Sequence, residues 1–519
     1  MSLLRNTLTQ SSLTMSSRIL GFVRDILIAA KVGAGPVGDA FVTALMFPNL
    51  FRRIFAEGAF AQAFVPAYAR TLEAEGEAAA RDVAQDTLRV LLFSTAALVI
   101  LAQIAMPLIM QVIHAGYDSD SESFRLATLL TQITMPYLAC MAMAALFSGV
   151  LNSAGRFIFS AGAPILLNLF LIGAAFLRDD TSGTAFLASW AVTLAGLAQA
   201  GMLYYGVWRT GVRLSLGMPK LTPAVKHVIV LAVPGTIAAS GTQINILVSQ
   251  ALASFEAGAK SWLFYADRLY QLPLGIVGVA VGVAILPRLA RAARNEDAGT
   301  SLKLMDNGIG LAMALTVPAS IALMIAPDYL ISGLYARGAF TENDALQSGR
   351  ALLHFGWGVP AFVLIKVLAP AFFAREDTVT PMRFSLMSVA LNTVLGAGLF
   401  FWFRSNGVDG FPGLAMATSI AAWFNVAALM FGLMSRGWYR PGWDLLWRLC
   451  SILVASLVMG GLLHVLRLDP YLMTNFVTGG RFLEVLVFVA IGACAYGVAA
   501  IAFGAIRGSD FTGRSQATG

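Results

Sequence analysis

Phe64-Val65-Pro66-Ala67-Tyr68-Ala69-Arg70 recurs, loosened but in order, as Ile285-Leu286-Pro287-Arg288-Leu289-Ala290-Arg291. At nearly the same offset, about 221 residues, Pro107 pairs with Pro327, Gly116 with Gly338, Pro136 with Pro360 and Asn168 with Asn392. One such match is weak, because Pro and Gly are common, but several in one order mark an internal duplication. The repeated unit is long enough for six membrane-crossing helices. An even number of crossings gives both halves the same topology, so they are parallel repeats related by an axis along the membrane normal.

Composition supplies the membrane. Of 519 residues, 58% are hydrophobic and 12% charged, the latter about half the usual share for a soluble domain. A soluble enzyme and a disordered chain are excluded. The net charge of +7 sits in short loops and builds no basic face, so no nucleic acid is expected as partner. Cys140, Cys450 and Cys494 lie inside apolar runs without metal-ligand spacing, and the four histidines are scattered. Neither a disulfide framework nor a zinc site is expected, and no metal or cofactor.

A crossing needs about 20 apolar residues. Fourteen runs qualify: 11–32, 37–66, 86–112, 126–151, 158–177, 184–208, 225–253, 259–287, 304–326, 350–374, 383–403, 411–434, 445–466 and 482–506. The fold expected is an all-α polytopic membrane protein with 14 transmembrane helices. Two six-helix lobes, 1–215 and 216–436, face a central cavity, and 437–519 adds two helices. Pro48, Gly58, Pro273 and Gly278 interrupt two of the runs, as in helices that line a cavity. The termini and the loops after even-numbered spans hold nineteen Lys and Arg, and the other loops nine, Lys260 among them. The positive-inside rule places both termini in the cytoplasm.

Within the runs stand six basic residues, Arg18, Arg24, Arg52, Arg53, Arg268 and Lys366, and four acids, Asp25, Asp39, Glu57 and Asp267. Intramembrane charges are costly and mark pathways. Arg18 shares a helical face with Asp25, and Arg53 can pair with Glu57 four residues on. Pure structural pairing favours neutrality, yet this set leaves +2. That excess suits an anionic substrate such as a diphosphate, which the planar Arg fork grips with two bonds. Gly33-Ala34-Gly35-Pro36-Val37-Gly38 fits GxGxxG, but no strand precedes it, so it reads as a tight external loop. Gly278 and Gly282 read as helix packing. No Ser-His-Asp, HExxH or Walker pattern supports hydrolysis or ATP-driven transport.

Ser17-Arg18-Ile19-Leu20-Gly21-Phe22-Val23-Arg24-Asp25, Asp39-Ala40-Phe41 and Phe47-Pro48-Asn49-Leu50-Phe51-Arg52-Arg53 with Glu57-Gly58-Ala59-Phe60 resemble the MurJ (MviN) family. So do Tyr265-Ala266-Asp267-Arg268-Leu269, Arg337-Gly338-Ala339-Phe340 and Lys366-Val367-Leu368-Ala369-Pro370 with Thr380-Pro381. The resemblance implies a member of the MOP exporter superfamily that flips lipid II, the undecaprenyl-diphosphate-linked peptidoglycan precursor, across the bacterial inner membrane by alternating access. It implies that the substrate meets Arg18, Arg24, Arg52, Arg53, Arg268 and Lys366. Asp25, Asp39, Glu57 and Asp267 would support those cations and form part of the gate. The two added helices would groove the lipid tail. Lipid II and the membrane lipids are the partners implied, with other cell-wall synthesis proteins as further candidates. Where some relatives carry an acid, this chain has Gln271, and spans 7, 11 and 12 contain no Asp or Glu for a sodium site. The alternatives are a sister exporter of another polyprenyl-diphosphate glycan or of drugs, and a membrane enzyme on such a lipid. The last needs a metal-binding carboxylate cluster that the sequence does not show.

Overall fold

A computed structural model of the chain describes residues 3–55, 59–275, 298–468 and 480–505. Hydrocarbon offers a backbone no hydrogen-bond partner, so each apolar run closes its bonds internally as helix. The helices are α1 (Leu3–Val32), α2 (Pro36–Phe55), α3 (Ala59–Glu75), α4 (Glu77–Ile113), α5 (Glu122–Thr134), α6 (Tyr137–Ser153), α7 (Phe157–Ala175), α8 (Thr181–Trp208) and α9 (Pro223–Ala253). After α10, described over 259–275, come α11 (Ala298–Ile325), α12 (Pro327–Tyr335), α13 (Glu342–Gly356), α14 (Val359–Phe373), α15 (Val379–Ser405), α16 (Phe411–Ser435), α17 (Trp443–Leu468) and α18 (Arg481–Ala502). Among the described residues the β structure is a single bridge between Arg337 and Phe340.

Ten helical segments of the described residues are long and apolar enough to cross a membrane. The count of fourteen is therefore not confirmed; charge accounts for two of the missing runs, and the other two include residues whose side chains lie outside the described set. The expected spans 1 and 2 are present as α1 and α2, but they carry Arg18, Arg24 and Asp25, and Asp39, Arg52 and Arg53. Span 7 is α9, apolar over Pro223–Val233. Span 8 is α10, which runs to the edge of the described residues, and Gly278 and Gly282 lie outside them.

The chain forms two compact units: Met1–Ser261 with Arg337–Thr341, and Trp262–Ala336 with Glu342–Gly519. The duplication is visible inside each. In the first unit α5 and α6 form one run broken at Pro136, and in the second α13 and α14 form one run broken just before Pro360. Those two runs are 72% and 67% buried, whereas the helices that follow them, α7 and α15, are each 22% buried. Matching positions are thus central in both units or peripheral in both.

The first unit packs in two tiers. Phe41, Phe47, Met106, Met110, Phe124, Tyr137 and Leu171 fill one end, and Phe60, Phe64, Tyr68, Leu88, Phe147 and Leu203 the other. Helices pack in a membrane through small residues and a few polar bonds. A side chain at Gly196 on α8 would meet the Tyr137 ring at 2.6 Å, and the Tyr137 hydroxyl donates to Gln199 on the same helix at 3.2 Å. Gln199 in turn donates to the Ala163 carbonyl of α7 at 3.0 Å. In the second unit α17 lies on α11, where Gly460 admits Ile321 and Ile325. Arg467 at its end donates twice to Asp328, at 2.7 and 2.9 Å, and again to the Ile325 carbonyl. Arg481 at the start of α18 pairs with Glu342 of α13. The outer face of α17, with Leu453, Val454, Leu457, Val458 and Val465, is exposed.

Candidate functional site

Asp39 organises one end of the first unit. It stands in the first turn of α2, set there by the turn at Gly33 and Gly35, both at positive φ, and it is fully buried. Four donors converge on its carboxylate. The Ser261 amide and hydroxyl reach Oδ1 at 2.9 and 2.8 Å. The Gly258 amide and the Tyr117 hydroxyl reach Oδ2 at 2.8 and 2.9 Å. Two of these donors are backbone amides at the start of α10, so Asp39 caps that helix from another helix and meets the positive end of its dipole.

A second charge lies beside it. Lys260, also fully buried, points its Nζ at three acceptors: Thr43 Oγ1 at 2.9 Å, the Ile113 carbonyl at 2.9 Å and His114 Nδ1 at 2.8 Å. An ammonium has three protons, so all are taken. Thr43 passes the bond on to the Asp39 carbonyl. His114, at the end of α4 and fully buried, contacts Ser123 Oγ through Nε2 at 3.3 Å, and Ser123 donates to the Pro36 carbonyl. Its ring stacks on Tyr117 with centroids 4.3 Å apart. Burial, then the Asp39 charge, pushes the Tyr117 phenol up, so it stays a donor.

Loops close over this cluster at distances that admit no side chain. A Cβ at Gly116 would lie 2.1 Å from the Ser254 carbonyl oxygen, and one at Gly338 would lie 2.2 Å from that of Ala30. The Ala339 amide donates to the same Ala30 oxygen at 2.7 Å. Residues 254–261 and 337–341 are thereby built into the first unit.

The arginines take other places. Arg24 directs Nε and Nη2 to Asp25 at 3.0 and 2.7 Å, and Nη1 to Asn168 of α7 at 2.9 Å. The side chains are 15% and 9% exposed, so Asp25 serves its neighbour Arg24, while Arg18 is exposed. Asn168 also donates to the Ser17 carbonyl, which gives the repeat-matched asparagine a structural task. Arg53 is exposed; the side chain of Arg52, and all of Glu57, lie outside the described residues. In the second unit Arg268 stacks over Phe264 at 4.7 Å. Asp267 accepts from Gln271, one turn on, and Lys366 on α14 is exposed.

Asp39 was expected to brace arginines; its contacts are instead Tyr117, Gly258 and Ser261, with Lys260 as the nearby cation. Lys260, a loop charge by the sequence, is instead fully buried. It stands at the boundary of an apolar run, in Ala257-Gly258-Ala259-Lys260-Ser261, where spacing gives no sign that the chain folds back onto α2 and α4. His114 looks isolated in the sequence, because its partner Lys260 is 146 residues away. Among the described residues no His, Cys, Asp and Glu group could hold a metal ion.

A family profile described as "Lipid II flippase MurJ" matches residues 28–487. The "Probable lipid II flippase MurJ" of Rhizobium tropici is 41% identical over 500 residues, covering 95% of this chain and 93% of the relative. A solved structure described as "Lipid II flippase MurJ, inward closed conformation" superposes with a TM-score of 0.78 at 24% identity, covering 95% of this chain and 98% of its own. An inward-facing multidrug resistance MATE transporter of the MOP superfamily follows at 0.67 and 15% identity, covering 83% and 98%; these two likenesses speak for the fold alone.

Proposed function

The chain belongs to the lipid II flippase MurJ family, and from that premise we propose how its residues carry lipid II from the cytoplasmic to the periplasmic leaflet for cell-wall synthesis. Members of this family are transporters, not enzymes, and this multi-pass membrane protein makes and breaks no bond. In our reading it lies in the bacterial inner membrane with both termini in the cytoplasm. The diphosphate meets Arg18, Arg24, Arg52 and Arg53 of the first repeat and Arg268 and Lys366 of the second. Asp25 positions Arg24, and Asp39 belongs to the gate. The head group travels through the protein while the polyprenyl tail stays in the bilayer along α17 and α18.

The observation that carries alternating access is the Asp39 clasp. It holds the start of α10 by two backbone amides, and release of one carboxylate frees a whole helix end. By the loop charges, this end faces the periplasm. The repeat boundary near 215 precedes the point where the compact units divide, after Ser261. We take the stretch 216–261 as the part that changes partners during the cycle.

The test is depletion. In a strain whose sole flippase is this chain under a repressible promoter, lipid II should accumulate with its head facing the cytoplasm. Normal periplasmic exposure of lipid II after the protein is gone overturns the assignment.

A further inference from the structure

We propose that Lys260 and His114 are the latch of the Asp39 clasp, and that the latch opens by taking up a proton on His114. The proposal rests on the reading of this end as a gate, but its chemistry stands on the geometry. Lys260 Nζ lies 2.8 Å from Nδ1 of His114. All of its contacts are acceptors, so Nδ1 carries the lone pair and the proton sits on Nε2, toward Ser123. A second proton would go to Nδ1, directly against an ammonium in a fully buried site. The imidazolium and the closed latch therefore exclude one another.

The groups facing His114 come from four elements. They are Lys260 on α10, Tyr117 in its own loop, Ser123 on α5, and Asp39 on α2 through the Tyr117 hydroxyl. Glu122 and Arg125 on α5, and Arg337 in the 337–341 turn, are exposed. Burial, and after it the Lys260 charge, pushes His114 down to about 2. Once the loops part, the ring is solvated and titrates near its ordinary value of about 6.5. The closed state then binds fewer protons than the open one between those values. Through His114 its stability falls roughly tenfold per pH unit below about 6.5. Lys260 is a positioning residue here: it fixes the His114 tautomer and holds Thr43, whose hydroxyl bonds the Asp39 carbonyl.

The experiment uses the purified full chain in detergent with Cys140, Cys450 and Cys494 replaced. Ser254→Cys reports opening, since Ser254 is buried under Gly116, and Ser119→Cys, on the exposed loop, corrects for the thiol's own pH dependence. The ratio of their labelling rates by a charged methanethiosulfonate is followed from pH 8 to pH 5. From about 6.5 to 5.5 it should rise roughly tenfold. His114→Asn keeps an acceptor for Lys260 and does not titrate, so its ratio should lack the rise between about 6.5 and 5.5. Lys260→Met should label fast at every pH. A flat ratio in the parent overturns the proposal, as does the same slope in His114→Asn. If His114→Asn does not purify as a single species, the parent midpoint decides, because one near the carboxylate range rejects histidine. No step involves lipid II or membrane orientation, so this test and the depletion test fail separately.

Discussion

Asp39→Asn removes one charge and turns one acceptor oxygen into a donor, with almost no change in shape. Whichever way the amide is turned, its NH2 faces a backbone amide, Ser261 on one side or Gly258 on the other. The Tyr117 and Ser261 hydroxyls can rotate to accept, but a backbone N–H cannot. One buried amide is left without an acceptor, and the Lys260 ammonium loses its neighbouring anion. Hydrogen bonds to charged groups contribute about 1.5–3 kcal/mol each, and breaking one member of a buried charge pair costs about 3–5 kcal/mol. These overlap, so the closed state should weaken by about 3–5 kcal/mol in all. At 1.36 kcal/mol per decade that is roughly a 10²- to 10⁴-fold rise in opening. The readout is deuterium exchange of a peptide covering 254–261, compared with one from α8 as an internal standard. Asp39→Asn should exchange faster by that factor in the first and equally in the second. If the 254–261 peptide exchanges within about threefold of the parent in a monodisperse preparation, the carboxylate is not what holds α10, and the clasp reading fails.

Gly116→Ala should lower thermal stability by about 1–3 kcal/mol, the range for overpacking, because its Cβ meets backbone of 254–255. Gly201→Ala, open on all sides, should be neutral in the same melt, and equal melting of the two rejects the packing argument. Arg467→Gln strips the twin bonds to Asp328; with both side chains about one third exposed the cost should be about 1–2 kcal/mol, seen as earlier proteolysis between α17 and α18. Arg24→Ala should fail to complement a flippase-depleted strain and Arg24→Lys should rescue in part, since Lys lacks the fork that meets Asp25 and Asn168 together. Exposed Arg70 should tolerate Ala at equal protein level. Flipping should follow membrane potential rather than sodium, because α9, α15 and α16 contain no carboxylate; loss on removing sodium at constant potential contradicts this.

The duplication was legible because prolines and asparagines do repeat-specific work. Pro136 and the region of Pro360 each break a central helix, and no apolar substitution reproduces that stop. The intramembrane arginines stand out in the sequence because charge in an apolar run is costly. Helical spacing was less informative about partners. It put Arg18 on the Asp25 face, but the carboxylate takes the adjacent Arg24, because Asn168 on another helix holds that guanidinium in reach. Helix periodicity describes one helix and is silent about a third residue from elsewhere. The clasp was hidden for the same reason. Asp39, His114 and Lys260 lie in three distant segments, and each looks ordinary alone: an acid at a helix start, a lone histidine, a lysine beside a turn. Of the runs missing from the apolar count, α1 and α2 fall short because of the charges they carry.

Two buried charges held by separate partners are a poor way to make a gate strong and a good way to make it definite. Taking Asp39 and Lys260 out of water costs several kcal/mol per ion, and their attraction with the surrounding hydrogen bonds does little more than offset it. An apolar plug of the same volume would hold tighter, yet it would accept many registers and resist separation. The pair accepts one register, because each carboxylate oxygen has two donors and the ammonium three acceptors. Opening returns both ions to water and recovers the hydration they lost, so the barrier comes from partners that must all part together. A transporter that must close fully and still open each cycle needs a small net stability joined to a single closed geometry. The neighbouring glycines serve the same end, since at Gly116 and Gly338 backbone meets backbone and no side chain must repack when the loops separate. On this view the clasp's charges set where the gate closes, and the state of His114 adjusts how long it stays closed.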